Sequence, residues 1–67
     1  MIVIIRDIPE TTLRVKLGRR GVVADKLTHD KHTSNGEWRM EVREEFRDNV
    51  RRWFAEDDDV LWFSRPE

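Results

Sequence analysis

Residues 12–21, Thr-Leu-Arg-Val-Lys-Leu-Gly-Arg-Arg-Gly, decide how many strands this chain places in its sheet. Leu13, Val15 and Leu17 alternate with Thr12, Arg14 and Lys16, the two-residue period of a half-buried strand. Gly18-Arg19-Arg20-Gly21 then reads as a hairpin turn, because two glycines supply the positive φ that a tight connection demands. On this reading 12–17 is a strand and 22–28 is its return.

Upstream, Ile2, Val3, Ile4 and Ile5 form a β-branched run that is stiff in a helix and packs well on a pleated surface. A strand is expected over about 2–8, closed by Asp7, Ile8 and Pro9. Downstream, a polar segment ends in Asn35-Gly36, a pair favoured in two-residue hairpin turns. Trp38, Met40 and Val42 then alternate with Glu37, Arg39 and Glu41, which predicts a strand over 37–42. A helix competes for that segment, since Ser34 and Glu37 match a capping box and Trp38, Val42 and Phe46 share a helical stripe. Met40 falls off the stripe and favours the strand.

From about Glu44 to Glu56 the spacing of Phe46, Val50, Trp53 and Phe54 predicts an amphipathic helix with a charged outer face. Asp57, Asp58 and Asp59 oppose its C-terminal dipole and end it. Val60 to Phe63 is a short closing strand. The expected fold is α+β, with a small, mostly antiparallel sheet of four to five strands (2–8, 12–17, 22–28, 37–42 and 60–63) on one helix (44–56), and a single domain over 1–67.

The opening resembles a ribbon-helix-helix repressor in that Ile2 to Ile8 followed by Pro9-Glu10 forms a strand leading into a helix. Gly18 and Gly21 interrupt the first helix that family needs, and its function is not carried over.

At 67 residues the chain buries only about 60% of the surface that its unfolded form exposes. Cysteine is absent, which removes both disulfides and thiolate zinc as staples and leaves association as the expected supplement. The longest uncharged apolar run, Met1 to Ile5, is far shorter than the roughly 20 residues of a membrane span, and it lacks the flanks of a signal peptide. No membrane association and a cytoplasmic location are expected. Charge is balanced overall at −1 but divided along the chain, with seven basic against four acidic residues in 1–36 and six against ten in 37–67. The two halves offer opposite electrostatic faces.

No constellation for chemistry emerges. His29 and His32 flank Asp30 and Lys31 as a weak metal cluster, better explained by a solvated loop, so no metal and no cofactor are expected. Asp57 to Asp59 diverge in direction and lack the glycine of a calcium loop. No residue pattern orients a base toward a nucleophile, so an enzyme is not expected. Arg14, Lys16, Arg19 and Arg20 on the expected hairpin form a basic edge suited to phosphates, which gives a nucleic-acid-binding domain as the alternative function.

The first and last strands are apolar on both faces, whereas one helix covers only one. Something else must cover the remainder, either loops or the curl of the sheet, or a protein partner such as a second copy in a homodimer. The expected function is therefore a non-enzymatic protein-binding module of the inhibitor or adaptor type. Charge-rich chains of this length are common among phage and mobile-element products that block host machinery. Leu61, Trp62 and Phe63 are the candidate anchors, with Arg47, Asp48 and Arg51 at the charged rim.

Overall fold

A computed structural model of the chain describes residues 1–30 and 36–63. Four strands and two helices follow one another as β1 (Ile2–Arg6), α1 (Glu10–Arg20), β2 (Ala24–Asp30), β3 (Glu37–Val42), α2 (Arg47–Glu56) and β4 (Val60–Phe63), with a 3-10 turn (Glu44–Phe46) leading into α2. The α+β class is as expected, and the strands over 37–42 and 60–63 have the expected bounds. The first strand is shorter than expected, ending at Arg6, and the expected 22–28 strand starts two residues later and runs to Asp30.

The strand expected over 12–17 is a helix, so the sheet has four strands and is covered by two helices instead of one. Leu13 and Leu17, four residues apart, lie on the buried side of one helical turn, whereas Val15 is 59% exposed. Period-2 alternation of three residues also contains a helical i, i+4 pair, and here the longer period governs. The supposed hairpin turn is the helix end. Gly18 to Arg20 are helical, and Gly21 adopts a left-handed conformation at φ 66°. The Gly21 N–H donates to the Gly18 carbonyl and the Val22 N–H to the Leu17 carbonyl, the paired bonds of a Schellman cap. Pro9 before the helix, Glu10 in its first turn and Arg19 and Arg20 in its last agree with its polarity.

The sheet is ordered β2-β3-β1-β4 with every neighbouring pair antiparallel. Strands β1 and β2 are thus parallel with β3 inserted between them, and β3 and β4 are parallel with β1 between. This is the split β-α-β arrangement of ferredoxin-like domains, a topology shared by too many activities to indicate one.

Cross-strand partners share a face, so the register sorts every side chain. Val3 opposes Met40 and Ile5 opposes Trp38, and these join Val42, Val60, Leu13, Leu17, Val50 and Trp53 in one buried core. Both helices therefore lie on the same side of the sheet. The other side carries three rows: Lys26, Glu41 and Ile2; Thr28, Arg39, Ile4 and Trp62; and Asp30, Glu37 and Arg6. No helix of the described residues covers them. Nor is any of their helices long and apolar enough to cross a membrane.

Candidate functional site: the β4 margin

Strand β4 forms one edge of the sheet and, among the described residues, pairs only with β1. Its register with β1 slips between Ile4 and Ile5, so that Val60 opposes Ile5, Trp62 opposes Ile4, and Leu61 is the extra residue of a bulge. A bulge twists an edge strand and interrupts its ladder. The alternation on either side of it divides the anchors that the sequence groups together. Phe63 faces the helices opposite Val3, packs against the core and meets the ring of Phe54 edge-on at 6.1 Å between centroids. Trp62 stands on the open face beside Ile4 and is 53% exposed. Leu61, at the bulge, is 44% exposed.

Helix α2 supplies the other wall. Val50 and Trp53 are buried, which turns one flank toward α1 and the opposite flank toward β4. At 100° per residue Arg47, Arg51 and Phe54 fall together on the β4 flank, and Phe54 is 49% exposed. Arg47 is held by Glu44 at 3.5 Å. Asp48 points away from this flank into solvent. Of the six expected partner-binding residues, the fold thus gathers Leu61, Trp62, Phe63, Arg47 and Arg51 at one margin and separates Asp48. It adds Phe54, assigned from the sequence to the core stripe. Three of the five exposed large apolar side chains among the described residues, Phe54, Leu61 and Trp62, lie here. Val15 and Val23, the other two, belong to α1 and the loop after it.

The basic residues read as a hairpin tip lie on α1 instead, and most are engaged. Arg14 pairs with Glu10 at 3.0 Å. The Lys16 ammonium lies 2.6 Å from Asp59 and 3.3 Å from Asp57, and Arg20 reaches both Glu56 and Asp57. Only Arg19 of the four has no ion pair among the described residues. Hydrogen bonding to Asp59, reinforced by Asp57, raises the Lys16 pKa above its ordinary value. Lys16 in turn holds the Asp57 carboxyl below its ordinary range, and Glu56 raises Arg20. The opposite charges of the two chain halves therefore meet inside the molecule, where the end of α1 is clasped to the end of α2.

His29 does not stand free in a loop. It hydrogen-bonds Asp7 at 2.8 Å and packs on the Trp38 ring at 4.6 Å, while the Trp38 indole N–H donates to the Ile8 carbonyl at 2.8 Å. His32 lies outside the described residues, among which no group of three or more metal-ligating side chains converges. No family model, curated protein or solved structure matches the chain, so a functional reading rests on this geometry.

Proposed function

We propose that this chain is a non-enzymatic protein-docking module of the inhibitor or adaptor type, acting in the cytoplasm through the β4 margin. The observation that carries the proposal is the clustering of Phe54, Leu61 and Trp62, each 44–53% exposed, around an edge strand with no second neighbour among the described residues. These side chains offer a partner apolar surface beside a short strand whose bulge at Leu61 disfavours extended edge pairing. Large aromatics also dominate interface energetics. Arg47 and Arg51 at the helix flank place positive charge at the rim, which favours an acidic partner and affects association rate more than final affinity.

The test is a photo-crosslinking residue at position 61, with a second at position 23 as an off-site control, in extract of the source cell. One protein captured from position 61 and lost with Phe54→Asp supports the docking reading. Equal capture from both positions, or retention of nucleic acid in place of protein at low ionic strength, overturns it.

A further inference from the structure

The open face of the sheet has a composition that the β4 margin lacks. Its three rows hold Arg6, Lys26 and Arg39 against Asp30, Glu37 and Glu41, so the face carries both signs in equal number. Beside these charges lies an apolar strip of Ile2, Ile4 and Trp62. Lys26 and Glu41 are direct cross-strand neighbours, as are Arg6 and Glu37. Yet Lys26, Arg39, Glu41, Arg6 and Glu37 make no side-chain ion pair with any described residue, although the ion pairs on the helical side are numerous. Lys26, Thr28, Arg39 and Glu41 line a shallow groove of about 260 Å³ on this face.

From this geometry we infer that the open sheet face is a two-fold interface between two copies of this chain. A two-fold contact is isologous and joins a patch to itself, so the patch must be self-complementary in charge. A face with three side chains of each sign and an apolar strip meets that condition. A partner of one dominant sign would leave half of these charges opposed to their own kind. Size makes the contact a weak one. Four strands about 4.8 Å apart and four to seven residues long make a face of roughly 19 by 18 Å, and two such faces together amount to roughly 700 Å², in the range of weak, transient association. Sheets stacked in this way sit about 10 Å apart, near enough for Arg39 to reach a carboxylate of the other copy. Such burial supplies the apolar cover that a short, cysteine-free chain lacks. The interface takes Trp62 from the β4 margin, whereas Phe54 belongs to the margin alone.

The experiment is sedimentation and light scattering of the full chain from micromolar to about 1 mM, where even a weak dimer of millimolar Kd is visible. Ile4→Lys and Arg39→Glu each weaken self-association by about tenfold or more, with circular dichroism unchanged at low concentration. Arg39→Glu lowers the charge of the face by two and Glu41→Arg raises it by two, so the two variants mixed together form a heterodimer in native mass spectrometry although each alone is monomeric. Phe54→Asp leaves the dimer intact, which separates this interface from the docking margin. The inference is overturned by a wild-type chain that stays monomeric throughout, by loss of the dimer in Phe54→Asp with retention in Ile4→Lys, or by failure of the mixed charge variants to pair.

Discussion

The Asn49 side-chain amide donates to the Arg20 carbonyl at 2.8 Å, so the last turn of α1 is capped from α2. A second, longer bond from the same amide reaches the Gly21 carbonyl at 3.4 Å. Carbonyls at a helix end have no partner within the helix, and a missing donor there costs about 1–2 kcal/mol. Asn49→Ala is expected to lower stability by that amount, read as a fall of several degrees in Tm. Asn49→Asp falls further, because it adds a carboxylate at the negative end of α1.

Gly18 and Gly21 give opposite responses to alanine. A Cβ at Gly18 meets nothing within 4 Å, and the residue is helical, so Gly18→Ala is expected to stabilise the fold by about 0.5–1 kcal/mol. Gly21 has φ +66°, and a Cβ there lies 3.1 Å from the Asn49 amide nitrogen. Gly21→Ala is expected to destabilise by about 1 kcal/mol or more. Urea unfolding of both variants reads the signs, and losses of equal size would restore the hairpin reading of 18–21.

Truncation along α1 distinguishes its two faces. Leu13 is fully buried whereas Val15 is more than half exposed. Leu13→Ala is expected to cost about 2–5 kcal/mol and Val15→Ala no more than about 0.5 kcal/mol. A strand over 12–17 would make the two losses alike, so a single pair of melting curves separates the alternatives.

The clasp between α1 and α2 sets how stability depends on pH. Asp57 has a lowered pKa in the folded chain, so its contribution is complete above the ordinary carboxylate value and is lost as pH falls through the lowered one. Lys16 has a raised pKa; its contribution is complete below the ordinary lysine value of 10.5 and is lost as pH rises through the raised one. Stability is therefore expected to hold level between these limits and to fall at both ends. Lys16→Met shrinks both slopes, and a pH series of unfolding midpoints measures them. Because these contacts are only partly buried, high salt weakens the clasp as well.

Much of this architecture is legible in the sequence because its strands are strongly patterned. Trp38, Met40 and Val42 alternate against charged neighbours in β3, and the observed strand has the predicted bounds. The 3-10 turn and α2 together show a full stripe in Phe46, Val50 and Trp53. Helix α1 has only Leu13 and Leu17 to show for its period, and two residues cannot separate period 2 from period 3.6. The deciding cues were the ends, with Pro9-Glu10 at the start and Arg19-Arg20-Gly21 at the stop. The candidate site was legible as residues but not as a place. Consecutive Leu61, Trp62 and Phe63 are split by pleat and bulge, and the contribution of Phe54 depends on how α2 is rotated over the sheet.

The position of β1 in the middle of the sheet affects how the chain folds. Its hydrogen-bonding neighbours, β3 and β4, begin at residues 37 and 60, so β1, made before both, is the last strand to be fully enclosed. Val3 and Ile5 wait for partners separated from them by most of the chain length, and loop closure must precede the burial that rewards it. A nascent chain halted before Val60 would hold its most apolar segment as a bare edge, able to pair with any extended polypeptide within reach. The closing four-residue strand thus protects β1 from aggregation in addition to completing the sheet.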